Sequence, residues 1–243
     1  MRLSKFGSWV RNRFSPEWYR TFLDLIPSEQ TEIELAFVER HLPLVTYPFV
    51  LDLCCGPGRH AASLVRRGYR VLGVDSNRNA VARARADAPQ GATFEVLDMR
   101  QLDSIHGRFD AVVNLWHSFG YFDDATNEEI LRQVYAKLRS GGRAILDVYN
   151  REHLVSLPSA EWDERGGTRF EARRTWSGSR LTVTLRYASG GSDEFEWRIY
   201  APAELSEICS SAGFLPILSC ALFDDSLEPS ADYARMQFVL ERR

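Results

Sequence analysis

The stretch Val50-Leu51-Asp52-Leu53-Cys54-Cys55-Gly56-Pro57-Gly58-Arg59-His60 narrows the possible folds of this chain more than any other. A short apolar run ends near an acid, a glycine-rich turn follows, and a helix-like segment runs from about Arg59 to Arg67. Glycine at the carboxyl end of a first strand lets a ligand approach the backbone. The helix start beyond it offers free N–H groups and the positive end of a dipole. The turn is therefore a seat for a nucleotide-like or carboxylate-bearing cofactor.

The glycines alone leave the cofactor open. Gly56-x-Gly58-x-x-Ala61 satisfies a loose dinucleotide fingerprint, and Asp75 follows at about the ~20-residue distance of a ribose-binding acid. Two features point away from a nicotinamide enzyme. Asp52 precedes the glycines, where an anionic pyrophosphate disfavours a carboxylate and a cationic amino-acid cofactor welcomes one. No Tyr-x-x-x-Lys pair is present to polarise a carbonyl.

Around this segment strand and helix patterns alternate. Phe49–Leu53, Arg70–Asp75, Ala92–Leu97, Phe109–Leu115 and Arg143–Tyr149 read as strands. Arg59–Arg67, Asn77–Ala86 and Asn127–Leu138 read as the helices between them. Continuous apolar strands separated by helices predict a parallel sheet covered on both faces, with ligands at its carboxyl edge. Ahead of it, Thr31–His41 reads as a helix with Ile33, Phe37 and His41 on one face and Leu35, Val38 and Leu42 extending the stripe. Pro43 and Pro48 then break the chain. Gly141 and Gly142 suit a left-handed helix cap. From Pro158 to Tyr200 the alternation stops. Arg169–Ser177, Leu181–Ala188 and Glu194–Tyr200 read as antiparallel strands of a β insertion. Pro202–Ala212 resumes as helix, and Leu215–Phe223 and Met236–Glu241 read as closing strands.

At these stations the chain resembles the class I S-adenosylmethionine-dependent methyltransferases. Asp52 to Gly58 matches the cofactor loop, with Cys54 where that family usually has its first glycine. Val71–Asp75, Glu95–Met99, Phe109–Trp116 and Leu138–Leu146 match the next four stations in order. The resemblance implies a Rossmann-like, α/β, seven-stranded and mostly parallel sheet with its last strand antiparallel, plus the small antiparallel insertion. It implies one domain: residues 1–48 a helical lid or arm, 49–157 the cofactor core, 158–200 the insertion and 201–243 the rest of the sheet.

It also implies S-adenosyl-L-methionine as cofactor, S-adenosyl-L-homocysteine as product, and in-line transfer of the methyl group. Asp52 and the backbone of Cys54, Gly56 and Gly58 are expected at the methionyl end, Asp75 with Ser76 at the ribose, and Asp98 with Met99 at the adenine. Asn114, Leu115 and Trp116 should border the cofactor, and Tyr19 and Arg20 should fold over it. His117 is the candidate base, Tyr121 a second catalytic candidate, and Phe119 and Tyr149 candidate substrate contacts. Trp162, Trp176 and Trp197 could line an aromatic acceptor pocket, although singly each is more often core. Structural alternatives stand beside these: Asp75 as a helix cap, Asp98 as a turn residue, and Trp116 and Phe119 as core.

Bulk properties bound the partners. The formal net charge of −3 gives no general pull toward nucleic acid or anionic membrane. No apolar run approaches the ~20 residues of a membrane helix. Four cysteines, Cys54 and Cys55 adjacent and Cys209 and Cys220 in separate elements, with no Cys-x-x-Cys, argue for a reduced cytoplasmic chain without a metal site. The N-terminal stretch with Arg2, Lys5, Arg11 and Arg13 between Phe6, Trp9, Val10 and Phe14 reads as a docked amphipathic segment or as a nucleic-acid or membrane arm. A small-molecule acceptor is the expectation; the alternatives are an RNA or protein methyltransferase and a non-catalytic cofactor binder. The acceptor and the oligomeric state are not encoded in any recognisable motif.

Overall fold

The computed structural model describes residues 14–243, so the basic arm up to Arg13 lies outside the described residues. Strands β1 (Phe49–Leu53), β2 (Arg70–Asp75), β3 (Ala92–Val96), β4 (Phe109–Asn114) and β5 (Leu138–Tyr149) alternate with helices α3 (Arg59–Arg66), α4 (Arg78–Ala86) and α5 (Asp124–Lys137). Before them come α1 (Pro16–Trp18), which runs on as a π-helical turn over Tyr19–Leu23, and α2 (Ser28–His41). Between β3 and β4 lies a 3-10 segment, Met99–Ser104. After β5 come α6 (Arg151–Leu154), β6 (Ala160–Arg165), β7 (Thr168–Ser177), β8 (Arg180–Tyr187), β9 (Ser192–Arg198), α7 (Pro202–Ser211), β10 (Leu215–Ala221) and β11 (Arg235–Glu241).

The main sheet has seven strands in the order β10-β11-β5-β4-β1-β2-β3. Pairings from β3 to β5 are parallel, and β11 runs antiparallel to both β5 and β10. The strand order reverses between β1 and β4, which opens a crevice at their carboxyl ends. Side chains alternate across this sheet. Leu51, Leu53, Leu72 and Val112 point into one core with Ile130 and Leu131 of α5 and Leu205 of α7. Val50, Val71, Ala111 and Val113 point into another with Phe37 of α2, Leu64 of α3 and Val81 of α4. Both faces are therefore covered, and these strands need no polar side.

Strands β6 to β9 form a separate antiparallel sheet in sequence order, with its own core of Phe170, Leu181, Leu185, Phe195 and Trp197. The segment from Phe14 to Phe22 straps this sheet to the main one. Ser15 donates from N and Oγ to the Asp193 carboxylate at 3.0 and 2.7 Å, and Phe14 stacks on Phe195. At its other end the Tyr19 hydroxyl accepts from Asn77 at 3.0 Å, and Asp24 pairs with Arg83. No helix among the described residues is long and apolar enough to cross a membrane.

Three sequence expectations change. Ile33 is half exposed, and Glu34 takes a place in the buried stripe of α2. α5 ends at Lys137, so Gly141 and Gly142 do not cap it; they lie inside β5, where the register on β4 jumps between Phe109 and Ala111. A side chain at Gly142 would meet the Asp110 carbonyl at 2.9 Å. The insertion has a fourth strand, β6, whose sequence is mostly charged and exposed.

Candidate active site

The loop after β1 turns on three residues with positive φ: Cys54 at 63°, Gly56 at 53° and Gly58 at 86°. Cys54 thus adopts the left-handed backbone that a glycine there would adopt without strain. Its thiol lies 3.7 Å from the Met99 sulfur. Gly58 precedes α3, and a Cβ there would meet Ala84 and Phe94 at 3.0 Å. At Gly56 a Cβ would meet nothing within 4 Å, because that side of the loop is open. Asp75, at the end of β2, holds the loop: one carboxylate oxygen accepts from Gly56 N at 2.9 Å and the other from Asn77 N at 2.8 Å. The cap of α4 is Asn77, not Asp75.

Beneath the loop Asp52 is 2 % exposed, and its Oδ2 has no hydrogen-bond partner. Burial pushes its carboxyl up to about 7, opposed by the Arg59 guanidinium and reinforced by Asp75. Asn114, at the end of β4, donates to Leu53 O at 2.8 Å, while its Oδ1 is buried without a partner. A buried carboxylate oxygen left unpaired beside an open glycine loop is the local chemistry that a cationic ligand satisfies. Asp98 caps the 3-10 segment by accepting from Arg100 N at 2.9 Å. It also pairs with the Arg100 guanidinium at 2.6 Å. Burial raises its carboxyl, but those bonds outweigh it and hold the group below the usual range.

The loop after β4 is strained. Trp116 and His117 have φ of 63° and 59°, a rare conformation for two consecutive side-chain-bearing residues. A buried ionic network fixes them. Trp116 N donates to Asp147 Oδ2 at 2.8 Å, His117 N to Asp147 O at 3.1 Å, and the Trp116 indole N–H to Glu34 at 2.7 Å. Arg235 grips Asp147 through two nitrogens, and Arg59 and His60 contact Glu34 at 2.8 and 2.7 Å. Both carboxylates are fully buried, and burial alone would raise them. His60 and the arginines hold Glu34 down, and Arg235 holds Asp147 down. His117 stacks on Tyr149 at 3.5 Å, and its Nδ1 is buried without a partner. Burial first, then the Arg235 charge, push its imidazole down to about 3, so the ring is neutral at ordinary pH.

The β1 loop, Asp75, Asp98 and the β4 loop face one cavity of about 970 Å³. It runs from the β1 loop, past the ends of β2 and β4, to the inner face of the insertion sheet, with Trp18 and Tyr19 of the strap across it. A family model described as a methyltransferase domain matches residues 50–142, which hold every strand from β1 to β4 and the start of β5. The chain is 25 % identical over 207 residues to the putative methyltransferase YqeM of Bacillus subtilis, covering 79 % of this chain and 83 % of that one. Residues 50–142 match a methyltransferase domain, and the fold is that of the S-adenosylmethionine-dependent methyltransferases. The glycine/sarcosine N-methyltransferase of Parasynechococcus marenigrum is 35 % identical over 122 residues, 48 % of this chain and 43 % of that protein. The match thus spans less than half the length of that relative. The solved structure of CalS10, an amino pentose methyltransferase of Micromonospora echinaspora with S-adenosylmethionine bound, superposes with a TM-score of 0.67 at 19 % identity. It covers 89 % of this chain and 91 % of that one, which is a likeness of fold.

Most expected site residues meet at the cavity. Tyr19, Cys54, Gly56, Asp75, Ser76, Asp98, Met99, Leu115, Trp116, His117, Tyr121 and Tyr149 all line it. Five do not. Asp52, Gly58 and Asn114 sit behind its wall and shape it. Phe119 is 5 % exposed and stacks on Tyr200 in the core, so it is not a substrate contact. Arg20 is exposed and lies with Ser15, Glu17 and Tyr187 on the outer side of the strap. Of the insertion tryptophans, Trp197 lines the cavity, Trp176 packs against the insertion core, and Trp162 is 57 % exposed. Sequence reading missed Glu34, Arg59, Asp147 and Arg235. No motif marks them; only Arg59, beside the glycine turn, carried a positional hint.

Proposed function

We propose that this chain is a cytoplasmic methyltransferase that moves the methyl group of S-adenosylmethionine onto a small molecule enclosed in the same cavity. The carrying observation is that one cavity of about 970 Å³ joins the glycine-loop crevice to the insertion sheet. That is the upper end of the roughly 300–1,000 Å³ range of small-molecule sites, which suits a cofactor with a small acceptor beside it. In this reading Asp52 supplies negative charge for the methionyl ammonium and the Cys54–Gly56 backbone borders the amino-acid end. Asp75 and Ser76 take the ribose hydroxyls; Asp75 has lone pairs beyond the two bonds it already accepts. Asp98 and the Met99 N–H take the adenine edge, and Leu115 and Trp116 wall it. Bound there, the sulfonium supplies a methyl carbon to an in-line nucleophile, the C–S pair staying on sulfur as S-adenosylhomocysteine.

The chain's own contribution is placement and exclusion of water. The Asp147–Arg235–Glu34 network holds the loop after β4 in its strained form. His117, Tyr121 and Tyr149 offer neutral polar atoms at the reacting end; a ring held near 3 is a poor proton acceptor, so His117 orients the acceptor in preference to deprotonating it. The test is incubation of the full chain with S-adenosylmethionine and pools of small nucleophiles, reading S-adenosylhomocysteine. Product formed only with a small acceptor supports the reading. Product formed only with RNA or protein, or tight cofactor binding with no product from any pool, overturns it.

A further inference from the structure

The acceptor end of the cavity has a composition of its own. Phe170, Leu181, Val183 and Phe195 face it from the insertion sheet, and Trp18 and Phe22 face it from the strap. The charged side chains bordering this end are already paired. Glu161 is bonded to Arg174, and Asp163 contacts Arg165 at 3.3 Å, with Arg165 also lying 5.2 Å over the Phe22 ring. A zwitterion placed here would lose its hydration and find no unpaired charge among these four to replace it. A flat apolar molecule would lose little and gain aromatic contact.

Neutral polar groups also break the apolar wall. His117 Nδ1 is buried without a hydrogen-bond partner, and the Trp197 indole meets the Tyr121 hydroxyl; His117 and Trp197 both line the cavity and are 9 % exposed. Tyr149 ties them together, stacked on His117 at 3.5 Å and edge-on to Trp197 at 5.9 Å. Buried polar atoms without partners are costly, and pockets with a few such atoms in an apolar wall orient their ligands through them.

We propose that the acceptor is an aromatic amine, held between Tyr149 and the insertion sheet with an amino N–H donating to His117 Nδ1, which leaves the nitrogen lone pair free. This rests on the methyltransferase reading above and names the substrate class of that same site. The chemistry balances without a strong base. An aromatic amine is uncharged at neutral pH. Its nitrogen lone pair forms the new bond to the methyl carbon, the C–S pair stays on sulfur, and the proton then carried by the arylammonium leaves to water. An aliphatic amino acid arrives protonated and would need a base first, a task for which a neutral, weakly basic His117 is unsuited. The pocket therefore differs in kind from one built for the substrates named in the glycine/sarcosine N-methyltransferase relative.

The experiment is calorimetric titration of the full chain, saturated with S-adenosylhomocysteine, with naphthylamine and aniline, using glycine and sarcosine as polar controls. Naphthylamine should bind at least about tenfold tighter than either control. Val183→Thr, which keeps the shape of the side chain and exchanges a methyl for a hydroxyl, should weaken naphthylamine severalfold, and Val183→Asn by more. Affinity for S-adenosylhomocysteine should stay within about twofold in both variants, which also reports that they are folded. Failure of the chain to bind S-adenosylhomocysteine would sink the underlying reading. Binding of S-adenosylhomocysteine with no preference for the aromatic amines, or a preference untouched at Val183, would overturn the acceptor assignment alone.

Discussion

Replacing Asp52 by asparagine separates what the buried carboxylate does for the cofactor from what it costs the fold. Asp52 is 2 % exposed, keeps one oxygen unpaired, and titrates at about 7 against roughly 3.9 in an unfolded chain. Between those values the folded state binds the extra proton, so this group's contribution to stability falls as pH rises through that window and levels off above about 7. From about pH 5.5 to about pH 8.5 the loss is roughly 1.5 pH units at 1.36 kcal/mol each, or about 2 kcal/mol. The amide that replaces the carboxyl does not titrate. The stability difference, Asp52→Asn minus parent, should therefore move in the variant's favour by about 2 kcal/mol across that range. Urea unfolding of both proteins at the two pH values measures it. His117 acts in the opposite sense, because a group depressed to about 3 costs stability as pH falls below its unfolded value. The difference between the proteins cancels that contribution, whereas either curve alone does not. A difference that stays constant within experimental error would refute the claim that the fold carries a strained acid beneath the loop.

Other consequences follow from the same geometry. Arg235→Met leaves the Asp147 and Glu34 carboxylates buried without their shared cation. Breaking such a group from one side costs on the order of 3–5 kcal/mol, readable in a denaturant midpoint. Cys54→Val forces a β-branched residue into a φ of 63° and should destabilise by about 1–2 kcal/mol, while Cys54→Gly should stay within about 1 kcal/mol of the parent. Equal stability of the valine and glycine variants in thermal unfolding would contradict the strain at that position. With His117 neutral, the pH–rate profile should contain no limb between about pH 5 and 8 that His117→Asn removes; such a limb would restore the histidine as a general base.

The parts of the site that sequence made legible are those dictated by local backbone chemistry. A glycine turn after an apolar run, an acid at the next strand end and the alternation of strand with helix each carry their own signal over a few residues, and Cys54, Gly56, Asp75 and Asp98 meet at one cavity. What stayed hidden depends on contacts distant in sequence. Glu34 lies on a helix where apolar periodicity favours Ile33, and only its bonds to Arg59, His60 and Trp116 explain its burial. Arg235 falls just ahead of the strand read from Met236, and its partner Asp147 lies across the antiparallel pairing. Strand β6 shows no alternation because one edge of it is open and most of it is exposed. Phe119 and Arg20 stand in the right segments, but orientation within a segment is set by packing: one turns into the core and the other out to solvent.

The central claim is that the crevice formed by the β1 loop, Asp75 and the β4 loop takes S-adenosylmethionine. Its most direct test is calorimetric titration of the full chain and of Asp75→Ala with S-adenosylmethionine. One molecule should bind per chain, and the variant should lose on the order of 1.5–3 kcal/mol of binding free energy through the missing charged hydrogen bonds. No heat with the parent chain, or the same affinity in both proteins, would contradict the account.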